Sequence, residues 1–452
     1  MKTSYVKYGE ILSTNIRMDA SYHLSEGQEI KRIINSSPYN ILSIKDVCTD
    51  IFIGNRARRV YVSNKERGIP FLSSSDILLA DLDNVKNASK KYTPKVEQML
   101  LKKGWTLITR SGTIGNTAFA NAKHAQKLAS EDVIRCIPNH ILKQGLLYAY
   151  LASKYGYSLL TQGTFGGVIQ HIEPDFVGSL PIPNFPEPFQ QMVDDMVQES
   201  ANTRELAADL LKEAITLLET EIGESQYGAS YRTGAITSKQ ISSHFKRFDA
   251  QYQIGSTELS KDIRGSKIVK IGELAKSIFV GNRGKRHYVK EGLPFLSSSD
   301  MMLFNPLKYS TPISFKTPNI QGLLVHKDDI LISRSGTIGN TVIVSEILDG
   351  KAVSEHALRL VIDANKISPQ YVFCYLNTQH GKRTLESLAY GSVIITLGEE
   401  FVADIDLPII ATDKISHITE LIKTYQQLID KSTLLENDAV SMVESEIEKW
   451  NN

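Results

Sequence analysis

The chain has 452 residues, 42% of them apolar and 22% charged. At roughly 150 residues per domain this is room for two or three globular domains, and the composition excludes a disordered or collagen-like chain. No apolar run reaches the ~18 residues of a membrane span, MKTSYVKYGEILSTN lacks a signal-peptide core, and Cys48, Cys136 and Cys374 form neither a CxxC pair nor a zinc spacing, so a cytoplasmic protein without a disulfide framework is expected.

The net charge of +1 conceals an alternation of +8 over residues 1–186, −8 over 187–226, +5 over 227–410 and −4 over 411–452. Basic blocks of this kind suit a polyanion, although an acidic helix is equally a well-solvated one.

In chain order the first block is RMDASY (17–22). FIGNRARRVYV (52–62) follows, then PFLSSSD (70–76), ITRSGTIGNT (108–117), SEDVIRCI (130–137) and DFVGSLPIP (175–183). Every block returns in the same order: RFDAQY (247–252), FVGNRGKRHYV (279–289), PFLSSSD (294–300), ISRSGTIGNT (332–341), SEHALRLV (354–361) and EFVADIDLPII (400–410). The offset stays between 224 and 230, so the chain is a tandem duplication of a whole domain. GWTLITRSGTIGNTAFA and DDILISRSGTIGNTVIV read as strand, tight turn, strand. LKQGLLYAYLASKYGYSLLTQG and SPQYVFCYLNTQHGKRTLESLAYG read as helices.

Each copy ends in a long helix entered through prolines. In the first, Phe189, Met192, Met196, Leu206, Leu210 and Leu217 are expected to share one register. In the second, Ile415, Ile418, Ile422, Tyr425, Ile429 and Ser432 step 3, 4, 3, 4, 3, the period of a coiled-coil seam. The expected fold class is α/β (α+β), with two mixed α/β domains (1–186 and 227–410) separated by a pair of antiparallel coiled-coil helices (187–226 and 411–452) and related by a pseudo-twofold axis.

The repeated residues suggest nucleic-acid contact. Arg56, Arg58, Arg59 and Tyr61 match Arg283, Lys285, Arg286 and Tyr288. Guanidinium forks suit phosphates and guanine edges, and a tyrosine beside them can stack. The competing reading is a solvated hairpin whose arginines pair with local carboxylates. Ser73, Ser74 and Ser75, matched by Ser297, Ser298 and Ser299, are phosphate donors or helix caps. Arg110, Ser111, Thr113 and Asn116, matched by Arg334, Ser335, Thr337 and Asn340, sit on a Gly-rich turn that is not a P-loop, because no lysine follows its glycines. That turn contacts a backbone or simply forms a hairpin. Gln170, in the loop GTFGGVIQH, is a candidate adenine reader that Ile395 does not match. His171 and His356 read as structural, and His356 matches Asp132, which argues against shared acid–base chemistry. There is no Rossmann GxGxxG, no HExxH, no GxSxG and no Asn/Asp-Pro-Pro-aromatic methylation motif. No catalytic centre is expected.

The ordered set of blocks, found twice with helices between, resembles the specificity subunit of type I restriction–modification systems over essentially the whole chain. The resemblance implies a non-catalytic subunit that reads a bipartite double-stranded DNA target, one half-site per domain, with the paired helices as a ruler. It implies two adenine-methylating modification subunits as partners, which restriction subunits can join. S-adenosylmethionine, ATP and Mg²⁺ would belong to those partners, with no cofactor, metal or membrane contact in this chain. A stand-alone DNA-binding scaffold of a related defence assembly is the alternative. Because the two copies share their blocks, the half-sites are expected to resemble each other when read on opposite strands.

Overall fold

The computed structural model describes residues 5–6, 8–13, 18, 23, 25–162, 171–223, 235–242, 245–250, 252–253, 267–336, 338–392 and 395–451. The block RMDASY therefore lies almost wholly outside the described residues, as do Gln170 and Thr337.

The chain divides into two compact units, 1–205 with 431–452, and 206–430. The long helices, Glu187–Ile222 and Thr412–Glu448, each contribute one half to each unit. The sequence reading set those helices apart as spacers; here they are also core elements.

In unit 1 the central sheet has four antiparallel strands in the order Cys48–Ile53, Val133–Pro138, Thr106–Thr109, Thr117–Phe119. In unit 2 the order is Ala275–Val280, Ala357–Ile362, Ile330–Ser333, Thr341–Ile343. The register repeats as well. Leu107 faces Arg135 and Leu331 faces Arg359, and each first strand carries an irregularity at its start, between Cys48 and Asp50 or between Ala275 and Ser277. The strands are short and β-branched, as hydrophobic runs bounded by Gly and Ser turns should be. A second layer holds PFL: Gly68–Leu72 runs parallel to Leu128–Ala129, and Phe295–Leu296 parallel to Ala352–Val353.

Both segments read as single helices are broken once. Gln144–Ala152 is followed by Lys154–Gln162, and Pro369–Asn377 by Gln379–Leu388. The break is a cap. Ser153 and Thr378 adopt extended backbone, and their hydroxyls accept the N–H of Gly156 (3.1 Å) and Gly381 (3.0 Å). A Cβ at either glycine would lie 2.2 or 2.1 Å from the carbonyl of Tyr150 or Tyr375, so the second helix can approach the first only through glycine.

The register expected for the first long helix is off by one residue. Met192 and Leu206 are 50% and 51% exposed, whereas Val193, Val197, Ser200, Ala201, Ala207, Ala214, Leu218 and Ile222 are buried. Small residues, Ser200, Ala201, Ala207 and Ala214, carry the middle of this seam because two helix backbones approach closely where side chains are short, so side-chain size misleads a reading based on Leu and Met. The second helix follows its expected register: Ile418, Ile422 and Ser432 are fully buried, and Ile415, Tyr425 and Ile429 half-buried. In unit 1 the C-terminal part of the first helix segment meets the N-terminal part of the second, with Lys431 Nζ 2.7 Å from Glu199 and Ser200 Oγ donating to the Ser432 carbonyl at 2.7 Å. In unit 2 Lys414 meets Glu221 at 2.8 Å. The pairing is thus antiparallel within each unit.

Candidate nucleic-acid interface

The repeated blocks converge at one end of the strands of each central sheet, and a buried arginine explains how. Arg135 and Arg359, in SEDVIRCI and SEHALRLV, are fully buried. The Arg135 guanidinium donates to the carbonyls of Ala129 and Val133 (both 2.6 Å), Ser130 (3.2 Å) and Met99 (3.4 Å). Arg359 donates to Val353 (2.6 Å), Leu323 (2.9 Å) and Ala357 (3.3 Å). Burial pushes both pKa values down to about 10, which leaves them charged at neutral pH. Each guanidinium also lies 5.7 Å from the ring of the phenylalanine two residues before the Gly-Asn pair, Phe52 or Phe279. Gly54 and Gly281 sit against it so closely that a Cβ would fall 2.7 or 2.6 Å from a guanidinium nitrogen. The glycine of GNRxxR is therefore the place where the basic segment rests on a buried cation. Sequence reasoning passed over these arginines, although their repetition inside an apolar strand was the available signal.

Beyond that glycine the predicted residues divide into two kinds. Arg59 and Arg286 are held. Arg59 bridges Glu131 (3.5 Å) and Asp132 (3.2 Å) and lies over the Phe71 ring, and Arg286 pairs with Glu355 (3.2 Å) over Phe295. Burial opposes the charge of Arg59, but Glu131 and Asp132 outweigh it and raise its pKa. Arg286 also donates to the carbonyls of Asn282 (2.6 Å) and Gly284 (2.8 Å), which shapes the loop. Arg56, Arg58, Arg283 and Lys285 are presented to solvent; of these Arg56 leans on Glu131 at 3.6 Å while remaining 89% exposed. Tyr61 and Tyr288 project beside them, each edge-on to the buried phenylalanine of PFL. The carboxylate-paired reading thus describes Arg59 and Arg286, and the outward-facing reading describes the other four.

The serines serve mostly as internal ties. Asp76 and Asp300 accept the N–H of Ser73 and Ser297, both at 2.8 Å, ahead of a short 3₁₀ turn, and Ser75 and Ser299 make no side-chain cap. Ser74 donates to the carbonyls of Ser111 (3.2 Å) and Asp132 (3.0 Å), bracing three repeated blocks together. Ser298 is half-buried, and Ser75 and Ser299 are exposed.

The RSGTIGN turns are hairpins with glycines at positive φ: Gly112 and Gly115, Gly336 and Gly339. Arg110 is not directed outward, because its guanidinium is paired with Glu173, which His171 also approaches at 3.4 Å. Arg334 is half-buried, and its N–H donates to the His356 carbonyl at 3.0 Å. Ser335 Oγ lies 2.8 Å from His356 Nδ1. Thr113, Gly112 and Gly336 are exposed, Gly115 and Gly339 buried, and Ser111, Asn116 and Asn340 half-buried. The arrangement offers exposed cations, hydroxyls and aromatic rings at one end of the strands of each sheet, a donor set for phosphates and bases. Among the described residues no group of three His, Cys, Asp or Glu could hold a metal, and no helix is long and apolar enough to cross a membrane.

Residues 37–213 match the family of the type I restriction modification DNA specificity domain. No curated protein matches the chain. Among solved structures, the S subunit of a type I restriction-modification system from M. genitalium is 14% identical with a TM-score of 0.35, over 92% of this chain and 96% of that one. The HsdS subunit from Thermoanaerobacter tengcongensis is 13% identical with a TM-score of 0.29, over 91% and 96%. A chain from a study of assembly and conformational transition of the type I R-M system is 14% identical with a TM-score of 0.30, over 92% and 97%.

Proposed function

We propose that this chain is a specificity subunit of the type I restriction-modification kind, and that it reads a bipartite duplex DNA target with one half-site for each compact unit. The observation that carries the reading is repetition. The matched segment supplies unit 1 with its central sheet, its buried arginine and its outward basic loop, and unit 2 has the same sheet order, the same buried arginine and the same loop. A module built twice around the same donor set has two similar surfaces to offer one long polyanion.

In this reading Arg56, Arg58, Arg283 and Lys285 take phosphates or guanine edges, and Tyr61 and Tyr288 pack beside the sugar–phosphate chain. Arg59 and Arg286 act differently: tied to carboxylates, they position the loop. The chain supplies recognition and no chemistry of its own. Its partners are modification subunits, two by the duplication, with restriction subunits able to join. S-adenosylmethionine, ATP and Mg²⁺ belong to those partners.

The test is to sequence the methylome of the host with and without this chain, and to identify what co-purifies with the full chain. Loss of methylation at one bipartite motif, together with a co-purifying methyltransferase, supports the reading. An unchanged methylome with DNA binding by the chain alone favours a stand-alone scaffold instead.

A further inference from the structure

One exposed feature was not among the repeated blocks. In unit 1 the chain leaves the Tyr61–Val62 strand pairing at Ser89, makes a turn through Lys90, Lys91 and Tyr92, and returns at Thr93. In unit 2 the corresponding turn runs from Ser314 through Phe315 and Lys316 to Thr317.

The anchors of the two turns are equivalent. The N–H of Ser89 donates to the Val60 carbonyl and that of Ser314 to the His287 carbonyl, both at 2.8 Å, so each turn starts against the basic GNRxxR segment. Each closes on a buried threonine whose N–H donates back, Thr93 to Ser89 (3.1 Å) and Thr317 to Ser314 (2.9 Å). Each is followed by a proline and then a left-handed residue, Lys95 at φ 51° or Asn319 at φ 54°. In unit 2 the Asn282 side chain also donates to the Asn319 carbonyl at 2.6 Å.

The tips differ. Unit 1 has one residue more and carries two lysines and a tyrosine, with Lys91 Nζ 5.3 Å from the centre of the Tyr92 ring. Unit 2 carries one lysine and a phenylalanine. The rings are 55% exposed at Tyr92 and 71% at Phe315. A single exposed ring needs no explanation. An exposed ring at the same place in both units, on turns of different length with the same anchors and beside the same cationic segment, does call for one.

We propose that these turn tips contact bases, and that Phe315 sets part of the sequence preference of unit 2 by packing against the 5-methyl group of a thymine. This rests on the DNA-recognition reading above. A phenyl ring has no hydrogen-bonding atom, so the major-groove feature it can select is the apolar one, the thymine methyl. Lys316 beside it supplies a phosphate contact that carries no sequence information. Tyr92 presents a hydroxyl in place of a bare ring edge, so unit 1 selects a different base at the matching position. The half-sites then diverge where the turns diverge, even though the shared blocks dock alike.

The experiment begins with selection of bound sequences from a random duplex library by the full chain together with the methyltransferase that co-purifies with it, wild type and Phe315→Ala. Affinities are then measured on the selected duplex with each thymidine replaced in turn by deoxyuridine. For the wild type, one replacement should weaken binding about four-fold, the value of one buried methyl. Phe315→Ala should be indifferent to that replacement and keep its thermal midpoint, while Lys316→Ala should lower the salt slope with the preference intact. If the deoxyuridine scan separates wild type from Phe315→Ala at no position, the proposal is overturned and the recognition reading stands. If the wild-type chain enriches no duplex at all, both fall.

Discussion

Replacing Gly54 by Ala tests whether the basic segment rests on a locked cation. A methyl added there would lie 2.7 Å from one Arg135 nitrogen, 3.0 Å from Cζ and 3.1 Å from the other nitrogen. The guanidinium cannot easily retreat, because it donates to four backbone carbonyls. The chain at Gly54 must move instead, and overpacking of this kind costs about 1–3 kcal/mol. For a unit of this size that lowers the midpoint by about 2–12 °C. The assay is a double-mutant cycle by calorimetry and urea unfolding on wild type, Gly54→Ala, Arg135→Met and the double variant. Methionine bends where the guanidinium fork cannot, so the alanine should cost at least ~1 kcal/mol less in the Arg135→Met background. Gly284→Ala is the control, since its Cβ would find Arg286 and Asn282 no closer than 3.4 Å. Equal costs of Gly54→Ala in both backgrounds, or no cost in either, would refute the reasoning.

Other perturbations have equally definite outcomes. Arg56→Ala with Arg58→Ala should weaken duplex binding across sequences and reduce the salt slope by about 2, measured by titration between low and moderate salt. Asp132→Asn loosens Arg59 and removes a negative charge from the loop edge, so duplex affinity should rise; a fall would mean that the pair matters for loop shape alone. Ile422 is fully buried in the core of unit 2 with Leu218 and Ile222, so Ile422→Asp should cost several kcal/mol in urea unfolding. His124 is fully buried, with Nε2 3.0 Å from the Ile77 carbonyl, and desolvation pushes its pKa down to about 4. The unfolded chain then binds the proton more tightly, so stability present at pH 7 is lost as pH falls from about 6.5 to about 4, by about 3 kcal/mol in total. His124→Gln should flatten that part of the urea-midpoint profile.

Periodicity and repetition revealed much of the fold because both are local signals. The strand–turn–strand segments and the ends of the long helices lie where alternation, glycines and prolines put them. What failed depended on packing. The first helix buries Ala201, Ala207 and Ala214, and an alanine seam looks weak by hydrophobicity until a partner helix comes close. The breaks at Ser153 and Thr378 hid inside helical periods, because a serine or threonine reads as a cap only when the following turn needs one. At the interface, Arg59 and Arg110 looked the same as Arg56 in sequence. Only tertiary structure brings Glu131, Asp132 and Glu173 to them and separates tied arginines from outward ones.

Unit 2 is one uninterrupted stretch of chain, whereas unit 1 is closed by residues 431–452, which bring Ala439, Val443 and Ile447 into its core and place Glu446 2.7 Å from the Tyr39 hydroxyl, 407 positions away. Along the chain the order in which the units are completed is therefore the reverse of the order in which they begin. The first unit lacks its last helix half, with the flank of Val193 and Val197 uncovered, until the whole of the second has been made. A released chain cut short at residue 430 should hold a protease-resistant 206–430 and a protease-sensitive beginning, because the helix half that closes unit 1 is missing.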